Sequence, residues 1–301
     1  MSKGILLFAR NNGHIDYVKQ AYFLSLQIKE KLNLPVTVVT DSIEYLKKRF
    51  PDYAIVFDKI IPIVWREEDY LEGKTTYSNT ENHCYRSYYD GANVSKKLEF
   101  KNETRSLAYA LSPYDETLLL DTDIVLLDDV YKHCFEQHHD FLIYSKSYDL
   151  AGFRDVSEFN YISDTGVKFY WATVVFFRKT EKNKIFFGLI QHIQENWTHY
   201  RSIFRIHSSL FRNDFAFSIA IHIMNGYRDG FFANEMPGKL FYTLDKDICW
   251  KIDLKKSSIH FLIEKSKYLG EFNIINWKTN NIHIMNKFSL NRCIDEVLNY
   301  E

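Results

Sequence analysis

The chain of 301 residues is poor in several residue types that mark particular protein classes. Its four cysteines lie far apart in sequence and form no Cys-x-x-Cys pair, so neither a disulfide framework nor a structural zinc site is expected. Five prolines and 11 glycines are too few for a disordered or linker-rich chain. No apolar run reaches membrane-spanning length, and the run after Met1 is too short for a signal peptide.

The chain also lacks an excess of charge of either sign. Lysine and arginine total 38, aspartate and glutamate total 39, and the net charge is −1. This balance does not favour a protein that grips nucleic acid through its overall charge. What the sequence does have is a hydrophobic fraction of 46%, enough for the core of one large globular domain. The cysteine usage and the shortness of the apolar runs predict a cytoplasmic protein.

Strand and helix patterns alternate in the first half of the sequence. The apolar runs that indicate strands lie at 4–9, 34–40, 54–57 and 59–63. Such alternation predicts a mostly parallel sheet flanked by helices, in which ligands bind beyond the carboxyl ends of the strands. The second half is less regular. Because no stretch rich in proline, glycine or serine marks a boundary, we expect a single domain over 1–301, with a nucleotide-binding half at 1–130 and an acceptor-side half at 131–301.

The most informative segment is Asp121-Thr122-Asp123, here called the first triplet, which lies between two apolar runs of four residues. Desolvating an unpaired carboxylate is costly or shifts its pKa until it is neutral, so two such acids need compensation. A hard divalent cation with oxygen ligands would supply it, whereas the alternative is a strand end whose acids face solvent. The second triplet, Asp245-Lys246-Asp247, has a lysine between its acids and is interpreted as a solvated turn.

The segment from Ser112 to Asp129 resembles the metal-binding segment of GT-A fold nucleotide-sugar glycosyltransferases, in particular the glycogenin-like family of galactosyl- and glucosyltransferases. The shared pattern is a tyrosine-led turn, an apolar strand, Asp-x-Asp, further apolar residues and another acid. The resemblance implies a GT-A type α/β fold, with a Rossmann-like, mixed but mostly parallel sheet and an irregular C-terminal acceptor-side region. It also implies metal-dependent transfer of a sugar from a UDP-linked donor to a hydroxyl acceptor, with retention of configuration.

The resemblance further assigns roles to residues of this sequence. Those implied to bind Mn²⁺, or Mg²⁺ in its place, are Asp121, Asp123 and His283. Those implied to contact the bound nucleotide are Ala9, Asn11, Asp41, Arg105, Asp121, Thr122 and Lys287. Those with an implied catalytic role, at the sugar and at the departing phosphate, are Asp214 and Arg105. The alternative for His283 is a core or surface histidine, and the alternative for Asp214 is a helix-terminal acid favoured by the helix dipole.

Several functional alternatives stay open at this point. Trp171 and Thr173 stand where the family has small or amide residues, so the identity of the sugar does not carry over. The aromatic run 169–171 predicts a core strand, with a sugar-stacking platform as the alternative. The acceptor could be a glycan, a protein side chain or a modified DNA base. A nucleotidyltransferase of similar α/β plan and a binding protein without turnover both remain as rival functions.

Overall fold

The computed structural model describes residues 1–63, 85–91, 94–152, 154, 157–265 and 271–299. In chain order, the strands are β1 (Lys3–Ala9), β2 (Val36–Thr40), β3 (Lys59–Pro62), β4 (Tyr85–Tyr89), β5 (Ser95–Glu99), β6 (Glu116–Leu120), β7 (Ile124–Val125), β8 (Phe141–Tyr144), β9 (Ser147–Asp149), β10 (Trp171–Arg178), β11 (Leu240–Tyr242), β12 (Ile248–Asp253), β13 (Ser258–Glu264), β14 (Phe272–Trp277) and β15 (Ile282–His283). The helices are α1 (Tyr17–Lys31), α2 (Ile43–Arg49), α3 (Tyr53–Val56), α4 (Ala108–Leu111), α5 (Glu181–Glu195), α6 (Trp197–Ile203), α7 (Asn213–Met224) and α8 (Lys287–Asn299), and a 3-10 turn at Glu103–Leu107 precedes α4.

A six-stranded sheet in the order β3-β2-β1-β6-β10-β8 forms the centre of the molecule. Strands β1, β2, β3 and β6 are parallel, and β10 runs antiparallel to both of its neighbours, β6 and β8. Continuous apolar runs such as Ile5–Leu7 and Leu118–Leu120 are fully buried, as expected for strands covered on both faces. The predicted mixed, mostly parallel α/β sheet is confirmed.

Helix α1 follows β1, and a local side chain caps its first turn. The Asp16 side chain accepts a hydrogen bond from the backbone N–H of Lys19 at 2.9 Å and so caps the first turn. The helix buries one face that includes Ala21, Leu24 and Ile28 in the main core. Because α1 begins just after β1 ends, its N-terminus lies at the carboxyl edge of the sheet, where the predicted site residues converge.

Two parts of the chain differ from the predicted pattern. The run at 54–57, predicted as a strand, is mostly the short helix α3, in which Val56 is buried while Ile55 is 80% exposed. The N-cap residue Asp52 precedes this helical turn, and the four-residue apolar run fits either structure. The C-terminal half is more regular than predicted, because β12, β13 and β14 form an antiparallel sheet whose central strand alternates buried and half-buried residues.

A second sheet has the order β7-β15-β11-β9. Its strand β7 directly follows the first triplet in the amino-acid sequence. The apolar run around that triplet is therefore two strands in two sheets, β6 before it and β7 after it. None of the described helices combines the length and apolar character needed to cross a bilayer.

The cysteines are closer in space than their spacing in sequence indicates. The Cys293 sulfur on α8 lies 3.2 Å from the backbone carbonyl oxygen of Cys249 on β12, and both thiols are buried. Burial raises the pKa of the Cys249 thiol well above its ordinary value, as its neighbour Cys293 also does. Both are therefore core residues, and the Cys249 thiol has little thiolate character. Cys84 lies outside the described residues.

Candidate functional site

The first triplet occupies the crossing from the six-stranded sheet to the second sheet. Asp121 is the first residue after β6, and its backbone N–H donates to the carbonyl of Thr173 on β10 at 2.9 Å. Asp123 is the last residue before β7. The turn between them places both carboxylates at the carboxyl edge of the parallel strands, as predicted, and not along the middle of a strand.

Strand pairing brings His283 to the same place from 160 residues further along the chain. His283 lies on β15 opposite Ile124 of β7, and the N–H of Ile284 donates to the backbone carbonyl of Asp123 at 2.9 Å. The His283 Nε2 atom is consequently 3.1 Å from Asp123 Oδ2, with both side chains buried. The prediction that this late histidine joins the paired acids therefore agrees with the fold.

These three side chains fit the ligand set of a divalent cation. One ligand atom from each of Asp121, Asp123 and His283 can be chosen so that all lie within 4.8 Å of one another, and no other such group occurs among the described residues. The 3.1 Å between His283 Nε2 and Asp123 Oδ2 is a hydrogen-bond distance, and it is also close to the roughly 3 Å between neighbouring ligands of an octahedral ion. Two carboxylates and one imidazole suit Mn²⁺, with Mg²⁺ as a harder substitute.

Protein cations already neutralise both acids. Arg105 Nη1 lies 2.6 Å from Asp121 Oδ1, and its Nη2 donates to the carbonyl of Thr173 at 3.1 Å. Lys287 Nζ lies 2.6 Å from Asp123 Oδ2. The expectation that paired acids here require a metal for compensation is thus too strong, because arginine and lysine supply it as well. The case for a metal rests on the histidine and on the geometry.

The two carboxyls of the first triplet have opposite pKa shifts. Desolvation by the walls of the site raises the pKa of Asp121, and the guanidinium of Arg105 offsets this only in part. Desolvation acts in the same direction on Asp123, but the charges of His283 and Lys287 outweigh it and hold the pKa of Asp123 far below its ordinary value. Asp123 is therefore fixed in its ionised form, the form that a metal ion binds.

These residues line a cleft that carries an excess of positive charge. The predicted site residues that line it are Arg105, Asp121, Thr122, Asp123, Asp214, His283 and Lys287. Its cationic side chains, besides the histidine, are Arg10, Arg86, Lys101, Arg105, Arg212 and Lys287, against three carboxylates. Such a lining complements a ligand with several negative charges, such as a nucleoside diphosphate.

The residues predicted at the nucleoside lie beside this cleft with their side chains already engaged. Ala9 is fully buried at the end of β1. The Asn11 side chain accepts from the Val18 backbone N–H at 3.0 Å and donates to Asp16 at 3.1 Å, so it caps α1. Asp41 accepts from Arg10 Nε at 3.1 Å. These three positions therefore shape the loop after β1 and β2, and Arg10 is the charged side chain that this loop presents to the cleft.

Asp214 occupies a fixed position at the far end of the cleft. It lies in the first turn of α7, as the helix-terminal interpretation predicted. One of its oxygens accepts from the Ala172 backbone N–H at 3.0 Å, and the other pairs with Arg212 at 2.8 Å. Thr122 is similarly tied down, since its hydroxyl donates to Gln20 on α1 at 3.2 Å.

The sequence reasoning missed the wall that β4 and β5 contribute. Arg86 on β4 lines the cleft, with its guanidinium carbon 5.4 Å and 5.6 Å from the ring centroids of Tyr88 and Phe100. Lys101, just after β5, donates to the carbonyl of Asn11 at 3.0 Å. Residues 85–89 read Tyr-Arg-Ser-Tyr-Tyr and show no regular apolar–polar alternation, so no local pattern revealed this hairpin.

The second triplet does begin with a turn at 245–246, as predicted, but the interpretation that its acids are solvated is wrong. Asp247 is 1% exposed, and both of its oxygens accept from the Arg154 guanidinium, at 2.7 and 2.8 Å. Asp245 accepts from Arg86 with both oxygens, at 3.0 and 2.9 Å. The compensating cations are distant arginines and not Lys246, whose ammonium lies over the ring of Tyr89 at 5.5 Å.

Comparison with known proteins gives similarities in structure only. No protein-family profile and no curated protein sequence matches the chain. The glycosyltransferase GlyE of Streptococcus pneumoniae TIGR4 is similar over 78% of this chain and 45% of its own, at 11% identity and a TM-score of 0.40. For the galactosyltransferase LgtC the shares are 72% and 70%, at 12% identity and a TM-score of 0.43. Mouse xyloside xylosyltransferase 1 is similar over 78% of this chain and 85% of its own, at 11% identity and a TM-score of 0.42. The chain thus spans less than half the length of the GlyE chain.

Proposed function

We propose that this chain is a metal-dependent glycosyltransferase of the GT-A type, which moves a sugar from a UDP-linked donor to a hydroxyl acceptor with retention of configuration. The observation that carries the proposal is the meeting of Asp121, Asp123 and His283 at the carboxyl edge of the sheet, within a cationic cleft. Residues 1–130 would bind the nucleotide, and residues 131–301 would supply the acceptor side.

The ligand set proposed for Mn²⁺, or Mg²⁺, is Asp121, Asp123 and His283. A divalent ion held there supplies Lewis acidity, which stabilises the negative charge of a departing nucleoside diphosphate. Arg105 and Lys287 contact the same carboxylates and can share their donors with phosphate oxygens that enter the cleft. Since both cations are buried and held by backbone carbonyls as well, they are positioned before the ligand binds.

Asp214 is proposed to act at the donor sugar, chiefly by holding the backbone of Ala172. Its two oxygens are committed to Ala172 and to Arg212, which supports a role in positioning more than one in proton transfer. Arg10, paired with Asp41, is proposed at the nucleoside end, because both lie beyond the parallel strands β1 and β2.

The variant Asp123→Ala tests this function. We expect it to lose manganese-dependent hydrolysis of the nucleotide-sugar donor while its circular dichroism spectrum stays that of the wild type. Asp129→Ala is the matched control, because this acid belongs to the same segment but is exposed and pairs only with Lys132 among the contacts described. Unchanged turnover in Asp123→Ala would refute the metal assignment.

The products separate the proposed function from its rivals. Release of free nucleoside diphosphate indicates sugar transfer, whereas release of pyrophosphate would indicate nucleotidyl transfer. Calorimetry with a panel of nucleotide sugars and Mn²⁺, run beside the turnover assay, identifies a binding protein by affinity without consumption of the donor.

A further inference from the structure

Trp171 is held rigidly at the edge of the cleft. It is 1% exposed, and its ring centroid lies 5.1 Å from that of Tyr242 and 6.4 Å from that of His283, a proposed metal ligand. The pairing of β10 with β8 slips between Trp171 and Val175, so an irregularity begins at this residue. Such bulges redirect side chains near active sites. Of the aromatic run at 169–171, predicted as core strand, only Trp171 lies on β10, and this residue also lines the cleft.

The indole N–H of Trp171 is buried and has no hydrogen-bond partner. Two other tryptophans of the described chain do have one: Nε1 of Trp197 donates to the carbonyl of Ser209 at 3.1 Å, and that of Trp277 to Asn280 at 2.7 Å. A buried donor without a partner is a cost to the folded protein. At the wall of a ligand cleft, an oxygen of the ligand can remove that cost.

The order of the strands indicates which part of the ligand this is. The central sheet contains the neighbouring strands β2-β1-β6-β10 in that order. Arg10 follows β1, Asp41 follows β2, the first triplet follows β6, and Trp171 is the first residue of β10. A nucleotide with its nucleoside at β1 and its diphosphate at the first triplet therefore extends its next group over β10. In a nucleotide sugar, that group is the transferred sugar.

We propose that Trp171 determines donor-sugar specificity by donating a hydrogen bond from Nε1 to an oxygen of the transferred sugar. This inference rests on the proposed function. Its consequence is that the sugar moiety of the donor adds affinity over the nucleoside diphosphate alone, and that this added affinity depends on the indole nitrogen.

The test compares Trp171→Phe with Trp197→Phe, two substitutions that remove the same atoms from two buried rings. Calorimetry with Mn²⁺ measures the Kd for UDP and for UDP-glucose, UDP-galactose, UDP-xylose and UDP-N-acetylglucosamine. For Trp171→Phe we expect the Kd of the best donor to rise about tenfold with the Kd of UDP unchanged. For Trp197→Phe we expect both constants to stay at their wild-type values.

Thermal unfolding of the ligand-free variants separates binding from folding. Trp197→Phe loses an existing hydrogen bond, whereas Trp171→Phe removes an unpaired donor, so the Tm should fall less in Trp171→Phe. If the ratio of the Kd for the UDP-sugar to the Kd for UDP is the same in Trp171→Phe as in the wild type, the inference is wrong. The proposed function is unaffected by that result. If the wild type binds neither UDP nor any UDP-sugar, the proposed function fails, and this inference fails with it.

Discussion

The two Asp-x-Asp triplets of this chain have the same pattern but very different surroundings. In the second triplet, Asp247 accepts from Arg154 with both oxygens and also from the Leu244 backbone N–H at 2.7 Å. In the first triplet, Asp121 has a 36% exposed side chain that lines a cleft, and Asp123 shares one oxygen with a histidine and a lysine. One triplet is closed by hydrogen bonds, and the other is open to a ligand.

The comparison shows that the pattern alone does not identify a metal site. Both pairs of acids are compensated by cations from distant parts of the chain, so compensation by itself does not distinguish them. What distinguishes them is the third potential ligand, His283, and access from the cleft. Arg154 also pairs with Asp149, which completes a buried structural cluster around the second triplet.

The largest expected effect comes from breaking the closed triplet. Asp247→Ala leaves the buried Arg154 with one carboxylate in place of two, and we expect the free energy of unfolding to fall by about 3 kcal/mol. Urea denaturation followed by fluorescence measures this loss. Manganese affinity of the folded variant should match that of the wild type, and a loss of metal binding here would erase the distinction between the triplets.

A smaller effect is expected from the open triplet. Asp121→Asn keeps the volume of the side chain but removes a charged ligand, so manganese affinity should fall at least tenfold. Calorimetry with Mn²⁺ and UDP gives the value, and Asp245→Asn serves as the control in the second triplet. Equal losses in both variants would mean that the metal responds to overall charge and not to this site.

The hairpin formed by β4 and β5 links the two triplets, because Arg86 lines the cleft and also pairs with Asp245. Arg86→Lys keeps the charge but replaces a planar group that contacts both carboxylate oxygens and two aromatic rings. We expect a loss of about 1 kcal/mol in stability. Chemical denaturation of Arg86→Lys, with Lys246→Arg as the control, measures this loss. Equal free energies of unfolding in the two variants would show that the Arg86 guanidinium does not stabilise the link between the triplets.

The smallest expected effect is that of metal removal on the fold. Since Arg105 and Lys287 already pair with the acids of the first triplet, treatment with a chelator should shift the Tm by less than about 2 °C, whereas Mn²⁺ with UDP should raise it. Differential scanning calorimetry of the same sample before and after dialysis against EDTA is the measurement. Unfolding by the chelator would identify a structural metal instead.

Sequence periodicity was sufficient for the long buried runs. The apolar runs at 4–9 and 34–40 predicted β1 and most of β2, and the end of the apolar run before the first triplet placed that triplet at the carboxyl edge of the sheet. Periodicity failed where one short run fits two structures, as at 54–57. It also could not separate β6 from β7, since the break depends on pairing with β15 from far along the chain.

Some residues of the site could be predicted from the sequence, and others could not. The acids and the late histidine were predicted from motif and order, and the fold brings them together. Arg86, Lys101 and Arg212 were missed because their place in the cleft depends on hairpin and helix packing, which no local pattern records. The same is true of Arg154, whose partner Asp247 lies 93 residues away.

The proposed function depends on a divalent ion held by the first triplet and His283. Anomalous diffraction at the manganese absorption edge, from a crystal soaked in MnCl₂ and UDP, would locate that ion. We expect a single strong peak bounded by Asp121, Asp123 and His283, with UDP oxygens against it. A map without that peak, in which Arg105 and Lys287 still pair with the two acids, would contradict the proposed function.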